Sequence, residues 1–285
     1  MQVVPSEIKK CVAFISYKNK QNKFKLAGTG FFIAFPMGDI NAVYLVTARH
    51  VIGNIAIKSI DDQVYIRINT LKGATTTAIS PISQWRYHDD STVDAAVIAW
   101  APDQKLFDWL PLHISMAATS EVIAQNNIGE GDEVFMAGLF SNHAGQNKNL
   151  PIIRTGSIAL ISDEKIETNS PFGAIDAYLI EARSIGGLSG SPVFVHLGSM
   201  RTYGSNNISL GSGPRLLWLG LMHGHWDIDE SEAVMEIDSA TDIGRKVNMG
   251  IGIVVPAVKI LEILTQPSFI EERKKWSKSK NNRKS

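Results

Sequence analysis

With 285 residues, 44% of them hydrophobic, the chain can bury one large core or two modest ones, which excludes a natively disordered protein. Its 28 basic and 28 acidic residues cancel, so overall electrostatics point to neither nucleic acid nor an anionic surface as partner. A single cysteine, Cys11, excludes an intramolecular disulfide and favours a reducing compartment. Charged residues appear by position 7 without a preceding apolar signal region. No apolar run approaches the ~18 to 20 residues that span a bilayer. The expectation is a cytoplasmic protein with no membrane partner.

In chain order, "KCVAFISY", "TGFFIAF", "AVYLVTA", "DQVYIRIN" and "DAAVIAWA" are short, β-branched or aromatic segments. Gly, Asn, Asp or Pro separate most of them, which predicts strands joined by turns. Residues 102–130 are polar and irregular and form a candidate linker. Beyond them, "DEVFMAGLF", "PIIRTGSIALI", "AIDAYLIEA", "SPVFVHL", "RLLWLGLMHG" and "NMGIGIVV" repeat the strand texture. Pro256 and the apolar spacing of Val258, Leu261 and Leu264 predict a helix over 256–264. The last 15 residues hold seven Lys or Arg and two Glu, which predicts a solvated, disordered tail. An all-β sandwich or barrel architecture follows, with one closing helix.

Three stretches carry chemistry. "LVTARHV" puts His50 at a strand exit, "DDSTVDAAVIAW" opens a strand with Asp94, and "GGLSGSPVF" presents Ser189 between glycines. His, Asp, Ser is one of the orders in which a catalytic triad occurs. A serine hydroxyl is a weak nucleophile at neutral pH, an imidazole can take its proton, and a buried carboxylate orients the imidazole. His88, six positions before Asp94, lies in the polar loop "RYHDDSTVD" and reads as solvated. "HGHWDID" alternates His223, His225, Asp227 and Asp229, but alternation is ordinary strand patterning, so no metal is expected. The tryptophans read as packing residues.

On these residues the chain resembles trypsin-like serine proteases of the chymotrypsin fold, and among them the bacterial, disulfide-free HtrA-type protease domain. The family's nucleophile motif is matched by Gly187, Leu188, Ser189, Gly190, Ser191 and Pro192; its histidine motif by Thr47, Ala48, Arg49 and His50; its aspartate motif by Asp94, Ala95, Ala96, Val97 and Ile98. "GTGFFI", "GDEVFMAG", "RTGSIALI" and "GIGIVVPAVKIL" extend the likeness over about residues 8 to 265. The resemblance implies two antiparallel six-stranded β-barrels: residues 1–118 carrying His50 and Asp94, and residues 119–268 carrying Ser189 and the closing helix. Residues 269–285 would be the disordered basic tail. It further implies catalysis by His50, Asp94 and Ser189, with the backbone N–H groups of Gly187 and Ser189 as oxyanion hole. Arg183 would sit at the base of the P1 pocket, and Met222, His223 and Gly224 would line its wall; an Arg and a His there would favour an acidic P1 residue, whereas an outward-pointing Arg183 would leave Met222 to make the pocket apolar.

The resulting expectation is a serine endopeptidase acting on polypeptides without metal or organic cofactor. Alternatives are an idle peptide-binding or interaction module, and an esterase using the same groups. Leu188 stands where many secreted members keep an aspartate that pairs with a new N-terminus, and the chain starts at Met1. A site that is preformed, or controlled by loops or by an activating partner protein, is therefore expected rather than activation by N-terminal cleavage. Nucleic-acid binding by the tail is not expected.

Overall fold

A computed structural model of the chain describes residues 4–168, 172–182, 187–198, 200–203, 207–210, 215–229 and 246–281. The first half holds β1 (Val12–Lys18), β2 (Phe24–Met37), β3 (Ile40–Thr47), helix α1 (Arg49–Lys58), β4 (Gln63–Asn69), β5 (Thr75–Pro81), β6 (Arg86–Tyr87), β7 (Ala96–Ala99) and β8 (Leu112–His113). Their order is β5-β4-β1-β2-β3-β7-β6, with β8 running parallel beside β2. Phe31 to Ala34 and Ala42 to Thr47 are buried at every position, because both faces of the sheet are covered. Phe32 meets Trp109 at 4.9 Å on one side, while the neighbouring Phe31 meets Trp218 of the second half at 5.5 Å.

This sheet is not the closed six-stranded barrel expected for residues 1–118. Closure requires strands long enough to tilt and stagger against their neighbours. β6 has only two residues, both spent on β7, so no ladder reaches β5. A side chain bridges the opening instead: the buried Trp85 indole donates to Ser80 Oγ of β5 at 3.0 Å.

The linker region carries β8 and helix α2 (Ser120–Gln125), the latter capped by Thr119, whose hydroxyl accepts from Val122 N. The Ala118 N–H donates to Trp218 O at 2.8 Å, tying this segment to the second half. There, β9 (Glu133–Gly138), β10 (Ile152–Ile161), β11 (Tyr178–Glu181), β12 (Pro192–Leu197), β15 (Arg215–Asp229) and β16 (Lys246–Pro256) close into an antiparallel barrel, β10-β11-β16-β15-β12-β9. β13 (Met200–Tyr203) and β14 (Asn207–Leu210) form a separate hairpin. Apolar packing is continuous across the two halves: Phe135, Phe194 and Leu221 of the barrel share one cluster with Phe31 and Leu45 of the sheet.

The closing helix α3 spans Ala257–Leu264, with Pro256 as its N-cap residue. It buries Ala257, Ile260, Ile263 and Leu264, a face rotated from the one formed by Val258 and Leu261. A second helix, α4 (Pro267–Asn281), occupies most of the region expected as a disordered tail. Net basic composition misleads here because Phe269, Arg273 and Trp276 recur at helical spacing on one face. Phe269 is fully buried and meets Tyr44 of β3 edge-on at 5.3 Å. The Arg273 guanidinium donates to Tyr44 Oη at 3.0 Å and Leu264 O at 2.7 Å, and lies 4.1 Å from the Phe35 ring centroid. Phe269→Ala is expected to destabilise the protein by about 3 to 5 kcal/mol through the cavity it leaves. Urea unfolding followed by tryptophan fluorescence checks this; a loss below about 1 kcal/mol would mean that α4 is dispensable to the core. Among the described residues, no helix is long and apolar enough to cross a membrane.

Candidate active site

Asp94 is fully buried just ahead of β7. The turn leading to it is held locally: Asp90 Oδ1 accepts from Thr92 N at 2.9 Å and Thr92 Oγ1 at 2.7 Å, and Asp90 N donates to His88 Nδ1 at 2.9 Å. His88 is not the solvated residue its polar loop suggested. Its Nε2 lies 2.7 Å from Glu262 Oε2 of α3, anchoring the turn to the closing helix.

His50 lies in the first turn of α1 rather than at a bare strand exit. Gly53 and the β-branched Val51, Ile52 and Ile55 are weak helix formers, so local pattern hides this helix; burial of those three apolar side chains stabilises it. The first N–H groups of a helix lack internal acceptors. Asp94 supplies one: its Oδ1 accepts from His50 N at 2.8 Å, while Oδ2 lies 2.7 Å from His50 Nδ1. One carboxylate thus caps the helix and orients the imidazole on it.

A second histidine shares this carboxylate, His223 Nδ1 lying 2.5 Å from Asp94 Oδ2. Burial alone would push the Asp94 pKa up, but the neighbouring His50 and the hydrogen bonds from His223 and His50 outweigh it and hold the carboxyl far below the ordinary range. For His50, burial disfavours the charged ring, yet the charge and hydrogen bond of Asp94 prevail and its pKa is raised above 6.5. That leaves a buried anion flanked by imidazoles, with His50 Nε2 as the ring nitrogen not engaged by Asp94.

Ser189, half-buried, rides on a turn at the barrel end of β12. Gly187 and Gly190 adopt φ of +102° and +85°, in the region that glycine enters without steric cost. The turn is bound to the sheet by its backbone. Ser189 O accepts from Thr29 N at 2.9 Å, and Gly187 O accepts from Thr29 Oγ1 at 2.8 Å. A Cβ on Gly190 would lie 2.2 Å from Thr29 O, 2.4 Å from Thr47 Oγ1 and 3.1 Å from Ala48 N. The serine turn therefore abuts Ala48, the N-cap of the helix that carries His50. Among the described residues, no hydrogen bond links the Ser189 hydroxyl to His50, and the Gly187 and Ser189 N–H groups donate to no protein acceptor.

Of the residues assigned to the substrate pocket, Arg183 lies outside the described residues. Met222 bonds to the serine turn through its backbone: its O accepts from Gly190 N and its N donates to Ser191 O, each at 2.8 Å. Its side chain is fully buried in the barrel, with Cε 2.9 Å from where a Gly252 Cβ would sit. Gly224 borders open space, since a Cβ built there meets nothing within 4 Å. His223, expected in the pocket wall, faces Asp94. The cause is an irregularity in β15: Met222 pairs with Val254 and Gly224 with Ile253, leaving His223 as an extra residue. Such bulges re-aim side chains, and single-strand alternation cannot reveal them. Leu188 is fully buried and packs in the barrel core.

Among the described residues, His50, Asp94 and His223 are also the grouping that could offer ligands to a metal, one atom from each lying within 4.8 Å of the others. Ligand atoms arranged tetrahedrally around zinc at ~2.0 to 2.1 Å stand about 3.3 Å apart. The 2.7 and 2.5 Å separations are those of hydrogen bonds. Asp227 and Asp229 side chains lie outside the described residues. A closed six-stranded antiparallel barrel beside a His-Asp-His cluster is compatible with a trypsin-like fold. Neither a protein-family model nor a curated protein sequence matches the chain.

Proposed function

We propose that the protein is a trypsin-like serine endopeptidase of the HtrA-like kind. The observation that carries the reading is the double grip of Asp94 on His50, through Nδ1 and through the helix N–H, with the Ser189 turn packed against the start of that same helix. In this mechanism Ser189 Oγ attacks the substrate carbonyl carbon as its proton passes to His50 Nε2. The new imidazolium is stabilised by Asp94, and the Gly187 and Ser189 N–H groups receive the oxyanion. Collapse of the tetrahedral intermediate breaks the C–N bond, and His50 returns the proton to the leaving amine. Water, activated by the same histidine, then hydrolyses the acyl-enzyme.

A second reading, an idle peptide-binding domain, is favoured by the missing hydrogen bond between Ser189 and His50. A fluorophosphonate probe separates the two. Intact protein should gain one phosphonyl group, located on Ser189 by peptide mapping; modification elsewhere, or none at all, overturns the protease reading.

A further inference from the structure

Asp94 Oδ2 is shared by two imidazoles, at 2.7 Å from His50 Nδ1 and 2.5 Å from His223 Nδ1. An ionised carboxylate only accepts, so both Nδ1 atoms must carry protons. His223 is 8% exposed, projects from the β15 bulge, and is backed by the Phe172 ring at 5.7 Å. Its ring stands edge-on to His50 with centroids 5.4 Å apart. We infer that His223 is a positioning residue of the catalytic couple: it shares Oδ2 with His50, holds the carboxylate plane in place and tempers the basicity that Asp94 confers on His50. The inference rests on the protease reading and adds a member to its machinery.

The physical basis is competition for one oxygen. A carboxylate that accepts an additional N–H spreads its negative charge over that bond and attracts the His50 proton less strongly. Removing the His223 donor leaves the whole of Oδ2 to His50, so His50 should hold its proton to higher pH. Among the described residues, the titratable groups facing His50 are Asp94, from the segment before β7, and His223, from β15. Arg49, its neighbour on α1, is turned over the Tyr87 ring at 5.0 Å, and Asp90 is engaged by Thr92 and Lys165. A histidine serving only to fill space would leave the titration of His50 unmoved.

The test uses the full chain with His223→Leu, which removes the donor at similar volume, and His223→Asn, which keeps an N–H near the Nδ1 position. The rate of fluorophosphonate labelling against pH should show an acid limb that moves upward by about half to one pH unit in the Leu variant. Its plateau should fall about tenfold with little change in KM for a peptide substrate. The Asn variant should return the midpoint towards that of the wild type. Histidine 15N NMR of the unaltered protein should show an Nδ1-bound proton on His50 and another on His223, and the signal of His223 disappears in His223→Leu. An unmoved midpoint in a folded Leu variant, equal shifts in both variants, or an unprotonated His223 Nδ1 would each overturn the inference. Should His223→Leu not fold, the NMR of the unaltered protein decides. If the unaltered protein is never labelled, the protease reading falls, whereas the NMR result still reports on His223 alone.

Discussion

Ser189→Ala is expected to abolish fluorophosphonate labelling and to lower kcat/KM on a peptide substrate by about 10⁵ to 10⁶. The hydroxyl is the only part of the serine lost. The turn is held by backbone groups, through Ser189 O to Thr29 N and Gly190 N to Met222 O, so its geometry should persist. Thermal unfolding should accordingly shift by no more than about 0.5 kcal/mol. Activity that survives unchanged would mean a different nucleophile. Ser191, two positions on, cannot easily serve, since it is fully buried and its Oγ would lie 2.0 Å from a Cβ on Gly138.

Asp94→Asn should cost about 10⁴ in kcat with much smaller change in KM. An amide in place of the carboxylate presents an N–H towards the imidazoles, so His50 Nδ1 turns acceptor and its proton moves to Nε2, the atom that takes the serine proton in the proposed mechanism. Stability should change with a definite pH signature. The Asp94 pKa is lowered on folding, so its contribution is present above the ordinary value of 3.8 and is lost as pH falls towards the folded value. The His50 pKa is raised, so its contribution is present below 6.5 and is lost as pH rises through the folded value. The stability deficit of Asp94→Asn should therefore be largest between these two values and shrink on either side. Urea unfolding at a series of pH values measures it; a deficit independent of pH would mean that the Asp94–His50 pair contributes no charge-dependent stability.

Much of the strand pattern was legible locally. Runs such as "AVYLVTA" and "DEVFMAGLF" are β-branched and aromatic between turn formers, and they became β3 and β9. The failures share a cause. α1 is stabilised by burial of Val51, Ile52 and Ile55 rather than by propensity, and α4 by docking of Phe269 and Arg273 on Tyr44, partners more than 200 positions away in sequence. Whether the first sheet closes depended on the two-residue length of β6 and on Trp85 reaching back to Ser80. The burial that stabilises α1 and the docking of α4 are not properties of a short window.

For the site the division is equally physical. Residue types and order in the sequence determined which groups are available: an imidazole at 50, a carboxylate at 94, and a hydroxyl at 189 between glycines able to take φ of +102° and +85°. Tertiary structure decided what they touch. It made Asp94 both helix cap and imidazole partner, because the end of β3, which leads into α1, pairs antiparallel with the start of β7, Thr47 opposite Ala96. It turned His223 from a pocket wall onto Asp94, because one extra residue in β15 breaks the two-residue alternation by which a strand distributes its side chains.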